Sequence, residues 1–179
     1  MSQRPLLTTE RLELWKPRFD DMRAVYELVT HPRTATHLGP PLSWTDHYAR
    51  FHRNAGGWYF HGYGNFLVRE RGQSRVIGNI GIFHSNRGLG DDFDLNPEAG
   101  WIMAHDHVGK GYASEAMTAI LAWFDAEHGP RRIVCIVSPQ NAPSLRMAEK
   151  FGFVPLRMAN MPTDGEPVQI FERLPREAI

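Results

Sequence analysis

The chain has 179 residues, 42% of them hydrophobic and 22% charged, which is an ordinary composition for a globular protein. Its 20 basic and 20 acidic residues give a formal net charge of zero, which excludes a global positive field that would attract nucleic acid or an anionic membrane. No stretch approaches the roughly 20 apolar residues of a membrane span, and Met1–Leu14 lacks the apolar core of a signal peptide. The single cysteine, Cys135, is typical of a reducing compartment. We therefore expect one cytoplasmic domain over residues 1–179, with no nucleic-acid or membrane partner.

The first half of the chain is predicted to contain helices and a hairpin. The predicted elements before the central strand are a strand at about 10–17, a helix that begins near Asp20 and ends at His31-Pro32, a helical segment near 45–54, and strands around 65–71 and 75–84. Gly56-Gly57 is expected to form the loop that follows the second helical segment. A polar connection over residues 85–97 then precedes a central strand at 98–104.

A glycine-rich loop follows the central strand and is the most informative feature of the sequence. Gly109 and Gly111 have no side chains, so successive N–H groups can converge on an anion just where a helix begins. Apolar residues at helical spacing from Ala113 to Phe124 indicate that helix, and Gly129-Pro130 ends it. This order of strand, glycine loop and helix predicts a pyrophosphate-binding site, with a purely structural helix entry as the alternative.

Two familiar phosphate-binding motifs do not fit this loop. A nucleotide-binding P-loop requires a glycine where Ala104 stands, and Ser or Thr where Gly111 stands. The dinucleotide fingerprint requires a third glycine at the position of Ser114. The predicted anion site therefore belongs to another class of phosphate-binding fold.

A second segment repeats the order of strand, turn and helix. The apolar run over residues 133–137 is predicted to be a strand, and Asn141–Phe153 is predicted to be a short helix closed by Gly152. The chain is then expected to end with strands near 153–158 and 168–173, because a turn signal separates two apolar runs.

The glycine loop and this second segment together resemble the GNAT superfamily of acetyl-CoA-dependent N-acyltransferases. Its motif Gln/Arg-x-x-Gly-x-Gly/Ala falls on Val108, Gly111 and Ala113. Thr9–Leu14, Glu98–Trp101 and the Asn-x-x-Ser helix are similar to the branch that includes the ribosomal-protein N-terminal acetyltransferases RimJ and RimL. The resemblance implies a mixed α/β (α+β) fold, with a central, twisted, mostly antiparallel sheet that is flanked by helices and splayed at the central strand.

The resemblance also implies which residues bind acetyl-CoA, the expected co-substrate. Backbone groups freed by the splay are expected to bind the pantetheine arm, and the loop N–H groups are expected to bind the pyrophosphate. The implied cofactor-binding residues are Trp101, Ile102, Met103, Val108, Gly109, Lys110, Gly111, Tyr112, Ala113, Ser114 and Asn141. Val108 replaces the usual Gln or Arg, which removes a side-chain contact but leaves the backbone donors.

The catalytic acid departs from the commonest family pattern. Many relatives place a tyrosine general acid where this chain has Ala148, which has no proton to donate. In the RimJ/RimL-like branch the serine of Asn-x-x-Ser is the candidate instead, and here it is Ser144. The alternative role of Ser144 is to satisfy backbone donors at the start of its helix. Asn141 is likewise expected to contact the cofactor or simply to begin that helix.

The general base has two candidates. Glu98 is preferred, because the resemblance puts the start of the central strand, where it stands, beside the approach of the acceptor amine. His84, at the end of the preceding strand, competes with it because an imidazole titrates near neutral pH. A reaction of an already neutral amine, without a protein base, is a third option.

The acceptor is expected to be a primary amine of a protein N-terminus or of a small molecule. Asp91, Asp92 and Asp94 are compatible with a polycationic antibiotic or a polyamine, but a solvated acidic loop is the preferred explanation. The rival class of function is a non-catalytic acyl-CoA-binding or sensor module, since two of the usual family residues are missing. No metal site is expected, because His105-Asp106-His107 lacks accompanying ligands. A homodimer is left open.

Overall fold

The computed structural model describes residues 4–175, which form an eight-stranded sheet with helices on both faces. The strands are β1 (Leu7–Thr8), β2 (Leu12–Trp15), β3 (Asn65–Glu70), β4 (Gly78–Phe83), β5 (Glu98–Met103), β6 (Ile133–Val137), β7 (Val154–Asn160) and β8 (Pro167–Arg173). The α-helices are α1 (Met22–Thr30), α2 (Trp44–Phe60), α3 (Asp91–Asp94), α4 (Tyr112–His128) and α5 (Ala142–Lys150). Short 3-10 helices lie at Phe19–Asp21, Ala35–His37 and His105–His107.

The strand order across the sheet is β1-β2-β3-β4-β5-β6-β8-β7. Every neighbouring pair is antiparallel except β5 and β6, which are parallel and are joined through α4. Parallel neighbours need a long crossover of this kind, whereas antiparallel ones can be joined by a short turn. The expected mixed fold with a mostly antiparallel sheet is confirmed.

Side chains alternate along each strand, so the two faces of the sheet present different residues. Different helices cover these two faces. Phe66 of β3 is fully buried in one core with Ile120 and Phe124 of α4. Its neighbour Leu67 points to the opposite side, where it is buried with Phe51 of α2. We call these the α4 face and the α2 face.

The loop expected at Gly56-Gly57 is wrong, since α2 continues through both glycines to Phe60. Each glycine in a helix costs about 1 kcal/mol relative to alanine. Trp58 offsets this cost, because its ring packs on Phe66 with centroids 4.9 Å apart and its Nε1–H donates to the Asn65 carbonyl at 3.0 Å. Tertiary packing therefore overrides the local preference.

The remaining predicted helices and strands are present, mostly with shorter ends. The strand expected at about 10–17 spans only Leu12–Trp15, and β1 is a short strand that the sequence analysis misses. The polar connection over 85–97 also contains a single helical turn, α3. No helix within residues 4–175 is long and apolar enough to cross a membrane.

Candidate active site

A cleft opens between the two parallel strands at the centre of the sheet. β5 and β6 are in register only at Glu98 and Val134, and beyond that point the edge of β5 that faces β6 has no strand partner. α4 begins after the end of β5 and α5 begins after the end of β6, so two helix N-termini border one opening. The expected splay is confirmed, and Trp101, Ile102 and Met103 lie along its free edge.

The glycine loop lies at the mouth of this cleft and presents a run of backbone donors. Gly109 and Gly111 have φ angles of +84° and +79°, in the left-handed region that favours glycine. Gly111 is the N-cap of α4, and its carbonyl accepts from the Glu115 N–H at 3.0 Å. Within residues 4–175, no N–H group from Gly109 to Ser114 donates a hydrogen bond. Consecutive free donors in front of a helix dipole are suited to bind an anion.

An ion pair fixes the loop against the first strands. Glu115 accepts from the Thr9 hydroxyl at 2.6 Å, and from the Arg11 backbone and side chain at 2.9 and 2.7 Å. Arg11 also donates to the Lys110 carbonyl at 3.0 Å. Burial alone would raise the pKa of Glu115, but the hydrogen bonds from Thr9 and Arg11 lower it. The Thr9–Leu14 segment therefore positions the loop from across the sheet.

Several loop side chains are already engaged within the protein, which leaves the backbone as the main donor. The Tyr112 hydroxyl donates to Glu70 at 2.6 Å, and this bond raises the pKa of Tyr112. The Ser114 hydroxyl accepts from the Lys150 ammonium. The other loop side chains differ in exposure: Val108 and Lys110 are exposed, and Ala113 is half-buried against the core of the α4 face.

Ser144 lies on the α5 side of the cleft and is joined to the central strand through Trp101. The Trp101 Nε1–H donates to Ser144 Oγ at 3.1 Å. Asn141 is the N-cap of α5, and its Oδ1 accepts from the Ser144 N–H at 3.2 Å. Asn141 therefore begins the helix, while the Ser144 hydroxyl has its own proton left to donate. The structure brings these three sequence-predicted residues together.

Glu98 is not the free carboxylate that its position at a strand start suggests. It is 2% exposed, and both of its oxygens accept from Arg87, at 2.8 Å from Nε and 2.7 Å from Nη2. A bidentate guanidinium therefore occupies both oxygens of this carboxylate. Glu98 is therefore a buried, paired carboxylate, and its partner is an arginine in the preceding connection.

His84 packs near the end of α4, whereas the glycine loop lies at its beginning. Its Nε2 is 2.8 Å from the Tyr63 hydroxyl, and its ring packs on His61 with centroids 4.4 Å apart. Tyr63 in turn packs on His128, the last residue of α4, whereas the glycine loop precedes the first. Burial lowers the pKa of His84, which keeps the imidazole neutral.

A cavity that the sequence analysis misses lies on the α2 face, beneath α1 and α2. About 440 Å³ of space lies between its walls, and this figure includes space that is open to solvent. Asn65, Asn79 and Ile102 line it from β3, β4 and β5. Ile102 also lies on the free edge of β5, so the cavity adjoins the cleft at this residue, on the α2 face of the sheet. His47 and Arg50 of α2 line it as well, and no short motif links them to the strands.

Two of the three acidic residues of the 85–97 connection are bound within the protein. Arg157 holds Asp92 through two bonds, at 2.8 and 2.7 Å, and the hydrogen bond from Arg157 lowers the pKa of Asp92. Asp94 accepts from the backbone N–H groups of Arg87 and Gly90 at 2.7 and 3.1 Å. The solvated-loop interpretation is therefore wrong for Asp92 and Asp94, whose carboxylates tie the connection together, whereas Asp91 is exposed.

Two other singled-out residues have packing roles. Ala148 is fully buried in the core of the α4 face. Cys135 is also fully buried, and burial raises the pKa of its thiol. Across residues 4–175, no group of three or more metal-ligating side chains is positioned to hold an ion.

Comparisons with known proteins agree with this architecture. Residues 11–154 match the Acetyltransferase (GNAT) domain family. A relative from Bacillus subtilis, described as the uncharacterized N-acetyltransferase YnaD, is 31% identical over 148 residues, which are 82% of this chain and 81% of YnaD. A structure described as a GnaT-family acetyltransferase from Bordetella pertussis superimposes with a TM-score of 0.84 at 30% identity, covering 95% of this chain and 99% of that one.

The expected likeness to the ribosomal-protein branch is confirmed at the level of the fold. RimL, a ribosomal L7/L12 α-N-protein acetyltransferase solved in complex with coenzyme A, superimposes with a TM-score of 0.73 at 17% identity. The match covers 94% of this chain and 97% of RimL. On the family match and the relatives at 30% identity or more, this chain belongs to the GNAT acetyltransferase family.

Proposed function

We propose that the protein transfers the acetyl group of acetyl-CoA to a primary amine, by direct attack in a ternary complex. The observation that carries this proposal is the run of free N–H groups from Gly109 to Ser114 at the mouth of the β5–β6 cleft. An anion site at a helix N-terminus suits the pyrophosphate of coenzyme A, and the free edge of β5 suits its amide-bearing arm. The RimL fold binds coenzyme A, which supports the same ligand here.

The residues present are suited to this ligand. A Cβ atom added at Gly109 would meet no atom within 4 Å, so the loop is open on that side to a bulky anion. Lys110 is exposed at the loop and adds a positive charge there. Beyond the loop, the proposed arm contacts are the backbone groups of Trp101, Ile102 and Met103. Acetyl-CoA supplies the activated thioester, whose carbonyl carbon accepts the amine.

Ser144 is proposed to donate a proton to the leaving thiolate. The amine nitrogen forms a bond to the acetyl carbon, the carbon–sulfur bond breaks, and the sulfur takes the serine proton, which solvent then replaces. The Trp101 indole supports this assignment, because its N–H fills one acceptor site of the hydroxyl and directs the hydroxyl's own proton elsewhere. Ala148 has no proton for this step, which leaves Ser144 as the candidate on α5.

We propose that the amine reacts as the neutral species, without a protein base. Glu98 is buried and both of its oxygens already accept hydrogen bonds from Arg87, and His84 packs near the far end of α4. The proton lost by the amine then passes to solvent, and the protein accelerates the reaction by positioning the amine against the thioester. The rate should therefore rise with pH until the acceptor itself is neutral.

A thiol-release assay with acetyl-CoA, run over peptides, amino acids, aminoglycosides and polyamines, tests the function. We expect coenzyme A release with at least one amine, together with a product heavier by one acetyl group in mass spectrometry. The same mixtures without the protein serve as the control for spontaneous release. Calorimetric binding of acetyl-CoA without turnover on any amine would overturn the proposal and favour the non-catalytic acyl-CoA-binding module.

A further inference from the structure

Three polar side chains with unused hydrogen-bonding groups meet at the cavity on the α2 face. Arg50 is half-buried, and its guanidinium makes no hydrogen bond or ion pair within residues 4–175. His47 Nδ1 and Asn79 Oδ1 are buried, and neither atom has a hydrogen-bond partner among the described residues. All three side chains line the same cavity. Because buried polar groups are normally satisfied, this convergence indicates a polar ligand.

The charge of Arg50 is not neutralised by the protein. Glu98 attracts it, but both Glu98 oxygens are already held by Arg87. Burial, followed by the like charges of Arg87 and Arg53, lowers the pKa of Arg50. A guanidinium nevertheless stays protonated in proteins, and its planar fork matches a carboxylate. The cavity therefore offers an unmatched positive charge to an anionic group.

The other two groups are acceptors. His47 Nε2 lies 3.0 Å from the Met22 carbonyl, which can only accept, so Nε2 carries the proton and Nδ1 keeps a lone pair. Burial lowers the pKa of His47, which favours this neutral form. His47 is only 3% exposed, so its Nδ1 is shielded from bulk water. Together with Asn79 Oδ1, it complements a ligand that donates N–H groups.

We propose that the acceptor is a small amine that also carries a carboxylate, of the amino acid class, bound in this cavity. Its carboxylate pairs with Arg50, and its N–H groups donate to Asn79 and His47. The inference rests on the proposed function, because it identifies the acceptor of that reaction. Ile102 borders both the cavity and the cleft, so an amine held here lies next to the arm of the acetyl donor. Polyamines are disfavoured, because Arg50 repels a second ammonium group.

Rates of acetylation of the common amino acids, each compared with its own amide, test the proposal directly. The amide keeps the amine and the side chain and removes only the negative charge. We expect at least one amino acid to exceed its amide in kcat/KM by about 10- to 100-fold, the ratio for a hydrogen bond between charged groups. Equal rates for every pair would overturn the proposal.

Variants of Arg50 assign the preference to this side chain. We expect R50Q to raise the KM for the amino acid by about 10- to 100-fold and to bring it close to the KM for the amide, and R50K to retain part of the preference. R53Q, at an exposed arginine of the same helix, should leave both rates unchanged. An R50Q protein that keeps the preference, with a native circular dichroism spectrum, would contradict the assignment.

Calorimetry separates this proposal from the proposed function. If no amine is acetylated while acetyl-CoA binds, the transferase proposal fails, and binding of amino acids to the wild-type protein still tests the cavity. Loss of that binding in R50Q and its retention in R53Q support the carboxylate site. Absence of binding by any amino acid, or equal binding by both variants, overturns it.

Discussion

The cleft between β5 and β6 and the cavity on the α2 face are made from different parts of the polypeptide. The cleft offers backbone groups, because two parallel strands separate and a glycine loop leaves its N–H groups free. The cavity offers side chains from two helices and three strands. A backbone site recognises a ligand that a whole family shares, whereas a side-chain site can change with each acceptor. The comparison explains why the donor is easier to identify than the acceptor.

The largest expected effect is on turnover, at the cleft. S144A should slow acetyl transfer by about 10²- to 10⁴-fold, the range for general acid catalysis, because the variant lacks the proposed proton donor to the thiolate. Acetyl-CoA affinity, measured by calorimetry, should stay close to the wild-type value, since Asn141 caps α5 through the Ser144 N–H rather than the hydroxyl. S138A is the matched control. Wild-type turnover in S144A would leave the serine without a chemical role.

The next largest effect is expected on the free energy of unfolding, at the Arg87–Glu98 ion pair. E98Q should lower the free energy of unfolding by about 3 kcal/mol, because it leaves the Arg87 charge in a buried setting without its partner. The lower end of the range for buried pairs applies, since the Arg87 side chain is 24% exposed. Urea unfolding measures the change.

The double variant R87M/E98Q checks the cause of that loss. Removing both charges should recover part of the lost stability, because no unpaired ion then remains. If the two charges are not coupled, the changes in unfolding free energy caused by the two substitutions will simply add. Activity that survives in a folded R87M/E98Q protein would also argue directly against Glu98 as the base.

A smaller, pH-dependent effect is expected where the first strands hold the glycine loop. The pKa of Glu115 is lowered in the folded protein, so its contribution is present above the ordinary value of about 4.3 and is lost as the pH falls through the lower folded value. E115Q should therefore cost about 2 kcal/mol at neutral pH and less below about pH 4. Unfolding measured at both pH values, with E127Q as the exposed control, tests this.

The smallest effect separates the two roles of Asn141. N141A should lower stability by about 1 kcal/mol, because α5 loses its N-cap, and N141D should restore it. If the residue only caps the helix, acetyl-CoA affinity will follow stability and recover in N141D. A loss of affinity that persists in a fully stable N141D would assign the amide to cofactor binding.

The features that the sequence predicts well are local in the chain. The glycine loop, the start of α4 and the Asn-x-x-Ser turn are each determined by neighbours a few positions away, so their residue types alone indicate their geometry. The mostly antiparallel sheet and its splay are predicted only by the family resemblance, since the local sequence pattern does not determine them.

The features that it misses depend on contacts between distant segments. Glu98 is buried because Arg87 folds back over it, and nothing in the pattern of a strand start records that pair. His47 and Arg50 meet Asn79 only through the packing of α2 on the sheet. The helix through Gly56-Gly57 likewise depends on Trp58 reaching Phe66. An acceptor site built in this way is invisible to motif analysis.

Acetyl-CoA binding to two glycine variants tests the anion site most directly. Gly111 and Gly152 have almost the same φ, +79° and +78°, so G111V and G152V carry similar backbone strain, but only Gly111 lies in the loop. We predict that G111V binds acetyl-CoA about 100-fold more weakly than wild type, the cost of about two hydrogen bonds to a charged phosphate, while G152V binds normally. Calorimetry on folded proteins gives the answer. Equal binding by G111V and the wild-type protein would contradict a pyrophosphate site at the glycine loop.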